Sequence, residues 1–166
     1  MYVSRYDSPV GKLLLTCSDS GLTGLYLSRD ADRQDTHPVF QQTATWLDAY
    51  FRGEDPPVTV PLALEGTEFQ KMVWGILRSI PYGETRSYGS IAKELARLLG
   101  KEKMSAQAVG QAVGRNPVSI LVPCHRVIGS NGALTGYAGG MEKKIWLLNH
   151  EQRQERGEKD NALRRI

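Results

Sequence analysis

Cysteine and histidine are scarce in this chain. Only two cysteines, Cys17 and Cys124, and three histidines occur among its 166 residues, and no C-x-x-C or H-x-x-x-H spacing is present. Metal sites need several such ligands at close spacing, so we expect neither a metal ion nor another cofactor. The two cysteines lie far apart, and Cys17 falls in an apolar run, where a free cysteine packs as a small core residue.

Long apolar runs are also missing. No segment approaches the roughly 18 apolar residues of a membrane span, and residues 1–5 do not begin a basic segment followed by an apolar signal core. We therefore expect a cytoplasmic protein that does not bind membranes. With 166 residues, of which 40% are hydrophobic, the chain can bury a core as one domain or as two small ones.

Charge is distributed unevenly along the chain. Residues 1–65 contain 5 Lys or Arg against 9 Asp or Glu, a balance of −4, whereas residues 66–166 contain 16 against 9, a balance of +7. A basic half suits a polyanion such as DNA, because neutralised phosphates supply most of the non-specific affinity. Ordinary scatter of charge over a solvated surface explains the same numbers equally well.

The first 65 residues favour three strands followed by a helix. Strand-like runs over 2–6, 12–17 and 22–27 are separated by turns rich in Gly, Pro, Ser and Asp. Pro38 suits a first helical position and is followed by apolar residues at helical spacing, which predicts an amphipathic helix over 38–51. That spacing is carried by Phe40, Ala44, Leu47 and Phe51.

From Thr67 onward the pattern is helical. Thr67 and Gln70 form a T-x-x-Q capping box, Ser87 can cap a second helix that Gly100 closes, and Ser105 can cap a third. The short turn between the second and third helices is typical of a helix-turn-helix. The apolar faces are carried by Phe69, Val73, Ile76 and Ile80 in the first helix and by Ile91, Leu95, Leu98 and Leu99 in the second.

The third helix, residues 106–113, has unusually small side chains. Gly110 costs roughly 1 kcal/mol of helix propensity relative to Ala, and nearly all the other side chains are small or carry an amide. Such a helix either packs closely against another helix or enters a duplex groove. The basic half and the helix-turn-helix spacing favour DNA as its partner.

The segment from Pro123 to Val127 places a thiol beside an imidazole and a guanidinium. Positive neighbours lower the pKa of a cysteine and make it a nucleophile, and His125 and Arg126 are such neighbours. Taken alone, the segment suits another interpretation better. Cys124 would be a small buried residue while His125 and Arg126 face solvent, since adjacent side chains on an extended strand point to opposite faces.

Short segments complete the chain. An Asn-Pro turn leads through the apolar run 118–122 into the cysteine motif, and residues 136–140 form a Gly-rich loop that can let a flat ligand approach the backbone. A last helix is predicted from Met141 to about Glu151, with Ile145 and Leu148 facing inward. Residues 154–166 form a mixed-charge tail that we expect to be poorly ordered.

Several groups of residues occur in an order that is typical of one family. They are Thr67-Glu68-Phe69-Gln70 with Val73-Trp74, Ile80-Pro81-Tyr82-Gly83-Glu84-Thr85 with Ser87-Tyr88, Ala108-Val109-Gly110, Arg115-Asn116-Pro117, Pro123 to Val127, Gly136 to Gly140 and Trp146-Leu147-Leu148. In this order they resemble the O6-alkylguanine-DNA alkyltransferases, also called methylated-DNA-protein-cysteine methyltransferases. The resemblance covers about residues 66–151, and its Pro-Cys-His-Arg run is highly specific. Residues 1–65 match only in general layout.

The resemblance implies an α/β (α+β) fold in two domains. Residues 1–65 would form a small antiparallel sheet with a helix, similar to ribonuclease H, and residues 66–153 a mostly helical, winged-helix-like domain that contains the helix-turn-helix. It also implies an activity, in which a thiolate irreversibly takes the alkyl group from O6 of a damaged guanine in double-stranded DNA. One molecule repairs one base, which must be flipped out of the stack from the minor groove. The protein would act as a monomer; activity on O4-alkylthymine and cooperative DNA binding stay open.

Roles for individual residues follow from the same resemblance. Cys124 corresponds to the alkyl acceptor, His125 to the base that deprotonates it through a water, and Glu151 to the acid that orients the imidazole. Asn116 corresponds to the residue whose amide ties the helix-turn-helix to the active-site turn. Tyr88 corresponds to the tyrosine that rotates the target phosphate and donates a hydrogen bond to the leaving guanine. A place in the core is the alternative for Tyr88.

The remaining implied contacts concern the flipped base and the DNA. The base pocket is expected from Tyr88, Val113, Val127, Tyr137, Ala138, Gly139 and Lys144. DNA contacts are expected from Ala106, Gln107, Ala108, Gly110, Gln111 and Arg115. The family usually has an arginine at position 107 that fills the space left by the flipped base, so Gln107 predicts weaker DNA binding and slower flipping. For Lys144, a solvated position on the last helix is the alternative.

Three other functions fit part of the sequence. A damage sensor of the alkyltransferase-like branch would bind alkylguanine and recruit other repair, but that branch replaces the cysteine, and Cys124 is present. A thiol hydrolase acting on peptides or esters leaves the helix-turn-helix and the basic half unexplained. A transcription regulator gives no reason for the Pro-Cys-His-Arg run.

Overall fold

Three antiparallel strands, β1 (Tyr2–Ser8), β2 (Gly11–Ser18) and β3 (Gly21–Leu27), open the chain and form one sheet in the order β1-β2-β3. The structure, a computed structural model, describes residues 1–134, 137 and 139–164, with side chains as far as residue 153. Both hairpin turns depend on glycine, since Gly11 and Gly21 have φ angles of 99° and 150°. The three predicted strands are confirmed.

Helix α1 (Pro38–Phe51) covers the sheet over the range that the sequence predicts. Pro38 occupies the first turn, and His37 Nδ1 accepts a hydrogen bond from the Val39 amide at 3.2 Å. The buried face is wider than the predicted stripe, because Trp46 and Tyr50 are buried as well. Tyr50 is only 1% exposed, which makes it one of the largest fully buried side chains in the described part of the chain.

Helices α2 (Glu68–Arg78), α3 (Tyr88–Leu99) and α4 (Ala106–Gly114) follow, each with its predicted cap. Thr67 Oγ1 accepts from the Gln70 amide at 3.1 Å, and Gln70 Oε1 accepts from the Thr67 amide at 3.0 Å, which completes the capping box. Gly100 ends α3 in the left-handed conformation, with φ of 64°. The expectation that Leu98 and Leu99 face inward is wrong, because the buried face of α3 ends at Leu95 and Ala96.

Helices α3 and α4 form the helix-turn-helix, and α2 supports both. The indole Nε1 of Trp74 in α2 donates to the carbonyl of Ala112 in α4 at 2.9 Å, so a buried hydrogen bond fixes the small helix in place. A Cβ atom at Gly110 would lie 3.8 Å from the ring of Tyr88, an ordinary contact distance. Close packing within the described chain therefore does not require glycine at position 110.

The edge strand β3 joins the two halves of the chain. The amide of Leu25 donates to the Pro117 carbonyl at 2.8 Å, and the amide of Ser119 donates back to the Leu25 carbonyl at 3.1 Å. The apolar run that precedes the cysteine motif therefore lies against the sheet. It leads into one turn of 3₁₀ helix, Cys124–Arg126, and then into β5 (Val127–Ile128), which pairs in parallel with β4 (Arg86–Ser87).

The last helix, α5 (Met141–Arg164), ends later than the prediction of about Glu151. Residues 152–164 are rich in Glu, Gln and Arg, which favour helix over coil. The inward position expected for Ile145 is also wrong, because its side chain is 41% exposed whereas Leu147 and Leu148 are buried. None of the helices in the described ranges is long and apolar enough to cross a membrane.

We expect Thr67→Ala to lower the free energy of unfolding by about 1 kcal/mol, because the side chain accepts the hydrogen bond that caps α2. Urea denaturation followed by circular dichroism measures this change. Thr45→Ala is the matched control, since Thr45 lies inside α1 and is exposed. Equal losses in the two variants would contradict the assigned capping role.

Candidate active site

Cys124 begins the 3₁₀ turn, and hydrogen bonds from the preceding residues fix its backbone. Its amide donates to the Val122 carbonyl at 2.8 Å, and Asn116 Nδ2 donates to the same carbonyl at 2.9 Å. Asn116 Oδ1 in turn accepts from the amide of Val118 at 3.0 Å. Asn116 lies two residues after the end of α4, so its amide ties the end of the helix-turn-helix to the turn that holds the thiol.

His125 and Arg126 are both buried, at 0% and 8% exposure, so the interpretation in which they face solvent is wrong. That interpretation assumes an extended strand, but the segment turns as a 3₁₀ helix. The turn allows Cys124, His125 and Arg126 to point into the protein together. The same burial removes the main argument for Cys124 as an ordinary core residue.

The carboxylate of Glu151, on α5, collects hydrogen bonds from four residues and is 1% exposed. Oε2 accepts from Tyr50 Oη at 2.7 Å, from His125 Nε2 at 2.6 Å and from Arg126 Nη2 at 3.1 Å. Oε1 accepts from the Gly83 amide at 3.0 Å and from Arg126 Nε at 2.8 Å. Burial alone would raise the pKa of Glu151, but the hydrogen bonds and charges of His125 and Arg126 outweigh it and lower the pKa. The carboxylate is therefore ionised at neutral pH.

Arg126 forms a buried ion pair with Glu151. Its guanidinium lies 5.7 Å from the centre of the Tyr82 ring, and Nη1 donates to the Ile80 carbonyl at 2.7 Å. The expectation that Arg126 lowers the pKa of Cys124 is not supported, because its contacts are with Glu151, the Ile80 carbonyl and the Tyr82 ring. The cation that favours the thiolate is Lys144.

Burial raises the pKa of the Cys124 thiol. Asn116, Tyr137 and Ser119 lie against the sulfur and favour the thiolate, as does the charge of Lys144, but these effects together are smaller than that of burial. The Tyr137 hydroxyl makes no hydrogen bond of good geometry among the described residues. The resting thiol is therefore protonated at neutral pH.

Burial also lowers the pKa of His125, against the opposing effect of Glu151. Its ring is therefore neutral at neutral pH, with the proton on Nε2, which faces the carboxylate. Nδ1 is buried and has no hydrogen-bond partner within the described residues. A neutral imidazole with a basic nitrogen and a neutral thiol thus lie on consecutive residues.

Lys144 lies fully inside the protein, so the alternative of a solvated helix lysine is wrong. It projects from α5 one turn before Leu147, on the side that packs against the 3₁₀ turn. Its Nζ donates to the Val127 carbonyl at 2.6 Å. Burial lowers the pKa of the ammonium group, while the Cys124 thiolate would raise it. This lysine supplies a buried positive charge to the cysteine.

Only some of the residues expected to form the base pocket lie beside the thiol. Tyr137 is half-buried beside the thiol, whereas Val113 and Val127 are buried in the core. A Cβ atom at Gly139 would lie 2.5 Å from Leu27 Cδ1, so close packing against β3 requires this glycine independently of any ligand. Ala138 lies outside the described residues.

An open groove of about 600 Å³ runs along α4. Its lining includes Tyr88, Ala106, Gln107, Gly110 and Gln111, together with Gly129 and Ser130 from the segment after β5. Tyr88 is half-buried with its ring against Gly110, so it is both packed and accessible from the groove. Ala108 and Arg115 face a neighbouring depression beside Thr67 instead. The small side chains on α4 therefore leave a surface that the sugar-phosphate backbone or the base edges of a nucleic acid can approach.

Sequence reasoning missed three of the four residues that donate to Glu151, namely Tyr50, Gly83 and Arg126. Gly83 contributes only a backbone amide, which leaves no trace in a side-chain pattern. Tyr50 lies three positions after Leu47, a spacing that marks it as buried, but its partner is 101 positions away in the chain. Among the described residues, no group of three or more His, Cys, Asp or Glu side chains is placed to hold a metal ion.

A thiol, a neutral imidazole and a buried carboxylate behind a helix-turn-helix define a thiol enzyme with a nucleic-acid-binding element. Comparison with known families identifies it further. Residues 68–153 match the model of the 6-O-methylguanine DNA methyltransferase DNA-binding domain, and residues 1–64 match that of the ribonuclease-like domain of the same proteins. The chain belongs to the 6-O-methylguanine DNA methyltransferase family.

Named relatives span nearly the whole chain. A methylated-DNA–protein-cysteine methyltransferase of Methanosarcina acetivorans is 46% identical over 158 residues, which are 91% of this chain and 98% of the relative. The Mycobacterium leprae protein of that name is 46% identical over 154 residues, 89% of this chain and 90% of its own. The crystal structure of Mycobacterium tuberculosis OGT in complex with DNA is 44% identical, with a TM-score of 0.80 over 93% of this chain and 94% of that one. The mixed α/β fold is thus that of the family.

We expect Glu151→Gln to destabilise the protein by about 3–5 kcal/mol at pH 7, because it leaves the buried Arg126 without its counter-charge. The pKa of Glu151 lies below its ordinary value of 4.5 in the folded protein. Its stabilisation is therefore present above that value and is lost as pH falls through the folded pKa. Urea denaturation between pH 7 and pH 3 should show the difference between the two proteins shrinking as pH falls.

Glu94→Gln is the control for this variant, since Glu94 forms a partly exposed ion pair with Arg86 at 2.8 Å. A partly exposed pair contributes about 1 kcal/mol or less. Similar losses of stability in the two variants would show that the Glu151 cluster is no stronger than a surface ion pair.

Proposed function

We propose that this protein repairs DNA by transferring the alkyl group from O6 of an alkylated guanine to its own Cys124. The observation that carries the proposal is that Cys124, His125 and Glu151 are buried together. His125 follows Cys124 in the chain, and its Nε2 lies 2.6 Å from the Glu151 carboxylate. Membership of the methyltransferase family supports the same reaction. Because the thioether product is stable, each molecule acts once.

The first step is removal of the thiol proton. His125 Nδ1 is the ring nitrogen that remains available, since Nε2 is engaged by Glu151. A water molecule between sulfur and Nδ1 relays the proton to the ring, and Glu151 stabilises the imidazolium that forms. The buried ammonium group of Lys144 then stabilises the thiolate.

The second step is displacement at the alkyl carbon. A sulfur–carbon bond forms as the bond between carbon and O6 breaks, and the electron pair passes to the guanine. The Tyr88 hydroxyl donates a hydrogen bond to the departing base, and the His125 proton is available to neutralise the guanine anion. Tyr137, whose pKa burial raises well above its ordinary value, keeps its own proton beside the sulfur.

Delivery of the base depends on the groove along α4. We assign the DNA contacts to Ala106, Gln107, Ala108, Gly110, Gln111 and Arg115. Gln107 and Gln111 are exposed on the groove, and Arg115 is exposed at the end of the helix. The target nucleotide must leave the base stack before its O6 atom can reach the buried thiol, and we assign this extrusion to the minor groove, as the family resemblance implies. Gln107 occupies the space left behind, with less stacking surface than an arginine.

Several finer points belong to the same proposal. The partner is double-stranded DNA with an alkylated guanine, bound by a monomer in the cytoplasm.

A division into two domains between residues 65 and 66 is supported by the two family models, one of which ends at residue 64 while the other begins at residue 68. Val113 and Val127 would act as the buried floor of the base pocket, and Gly139 as part of its wall.

The damage-sensor alternative is not favoured. A sensor needs the groove and a base pocket but no nucleophile, whereas this chain buries a thiol, an imidazole, a carboxylate and an ammonium group together. Burying four ionisable groups costs free energy that a binding pocket alone does not require.

Intact-protein mass spectrometry tests the reaction. After incubation with a duplex that contains one O6-methylguanine, the protein should gain the mass of one methyl group, and Cys124→Ser should gain none. Cys17→Ala, which removes the other thiol, should still be methylated, because Cys17 lies buried in β2. No gain by the wild type over hours would remove the repair function and favour the sensor.

We expect Gln107→Arg to bind DNA several-fold more tightly and to react faster, because a longer cation stacks in the duplex and pairs with phosphate. Fluorescence anisotropy measures the affinity for DNA. The rate of methyl transfer is measured under single-turnover conditions by stopping the reaction at successive times. Gln41→Arg is the matched control, since it adds the same charge at an exposed position on α1. Unchanged affinity and rate in Gln107→Arg, or equal gains in both variants, would refute this role of position 107.

A further inference from the structure

We infer that Tyr50 is a positioning residue for the transfer to Cys124. Its hydroxyl fixes the Glu151 carboxylate and limits how strongly that carboxylate holds the protonated ring of His125. The inference rests on the proposed function, because it concerns the base of the same reaction. It assigns to residues 1–65, which precede the helix-turn-helix, an indirect part in the chemistry that acts through Glu151.

The geometry places Tyr50 at the oxygen that matters. Tyr50 Oη donates to Glu151 Oε2 at 2.7 Å, and His125 Nε2 contacts this same oxygen at 2.6 Å. Every other donor to Glu151 comes from residues 83–126, whereas Tyr50 reaches it from α1. Among the described residues, this hydroxyl is the one side-chain group from residues 1–65 that hydrogen-bonds to the Cys124, His125 and Glu151 set.

Packing holds the phenol rigidly. The Tyr50 ring stacks on Trp46 at a centroid distance of 5.4 Å and meets the Tyr82 ring edge-on at 6.0 Å. The backbone is fixed as well, since His150 Nε2 donates to the Tyr50 carbonyl at 2.7 Å from the residue beside Glu151. The hydroxyl is thus pre-oriented, and little conformational entropy is lost in forming its bond to the carboxylate.

Charge sharing makes this bond chemically significant. A carboxylate offers about four lone-pair positions, and Glu151 receives five donor hydrogens. Each donor on Oε2 withdraws part of the negative charge that would otherwise stabilise the His125 imidazolium. Tyr50 remains a neutral donor throughout the working range of pH, because burial and the charge of Glu151 raise its pKa well above the ordinary value.

The other groups around His125 do not change with this substitution. The titratable and charged groups that face the cluster are Glu151, Lys144 and His150 from α5, Arg126 and Cys124 from the 3₁₀ turn, Tyr82 from the loop after α2, Tyr137 from the loop before α5, and Tyr50 itself. Apart from His125 itself, Tyr50 and Arg126 are the described residues that donate to Oε2, and of these two only Tyr50 is neutral. Removing its hydroxyl should therefore strengthen the hold of Glu151 on protonated His125.

The test is the pH dependence of the single-turnover methyl-transfer rate in full-length Tyr50→Phe. His125 must be neutral to accept the thiol proton, so its protonation sets the acidic limb of the profile. We expect this limb to move upward by about half a pH unit in the variant, which is a rate loss of roughly threefold at pH values below the limb. DNA affinity, measured by anisotropy, should stay unchanged.

Tyr6→Phe is the matched control, because Tyr6 Oη donates to Asp48 at 2.5 Å, also between the sheet and α1 but away from the site. Its acidic limb should coincide with that of the wild type. Replacement of Tyr50 by 3-fluorotyrosine keeps the ring and the hydrogen bond but makes the hydroxyl a stronger donor, so the limb should move downward. This second variant serves if Tyr50→Phe does not fold.

An unshifted acidic limb in Tyr50→Phe or in the 3-fluorotyrosine protein would overturn the inference, even if stability falls. A limb that moves equally in Tyr6→Phe would also overturn it, because the effect would then belong to the whole sheet–helix contact. These outcomes differ from failure of the proposed function, in which the wild-type protein itself takes up no methyl group from the duplex.

Discussion

The buried charge of Glu151 is the constraint on which the rest of this structure depends. A carboxylate that is 1% exposed persists only if enough donors replace the water it has lost. Four residues do so, from α1, from the loop after α2 and from the 3₁₀ turn, while Glu151 itself lies on α5. One side chain therefore joins segments that are distant in sequence, and it joins them at the group that orients His125.

This arrangement explains why the fold and the chemistry cannot be separated into different regions. Arg126 neutralises the carboxylate and also holds the Ile80 carbonyl, which closes α2 onto the 3₁₀ turn. Asn116 joins the end of α4 to the backbone that carries the thiol. Because the same packing buries these groups and positions the hydrogen bonds that act on Cys124 and His125, we expect a change in packing at these positions to change reactivity as well.

Local signals predicted the elements well, because caps and turns act over a few residues. The capping box at Thr67, the left-handed Gly100 and the range of α1 are all present in the structure. Long-range contacts were not predictable in the same way. The partner of Tyr50, the direction of Arg126 and the burial of Lys144 depend on how α5 packs across the 3₁₀ turn, and no periodicity in the sequence records that contact. The motif resemblance identified the residues at the thiol but not the donors that surround Glu151.

The resting ionisation of the site suits a protein whose nucleophile is used once. Burial raises the pKa of Cys124 and lowers that of His125, so the free protein carries a neutral thiol beside a neutral imidazole. Oxidants and adventitious electrophiles react mainly with exposed thiolates, and this cysteine is neither exposed nor ionised. A cysteine that stays protonated in the free protein is protected from such side reactions and remains available for its substrate. The same burial that disfavours ionisation of the thiol therefore protects it, and Lys144 and Glu151 are placed to stabilise the charges that form during transfer.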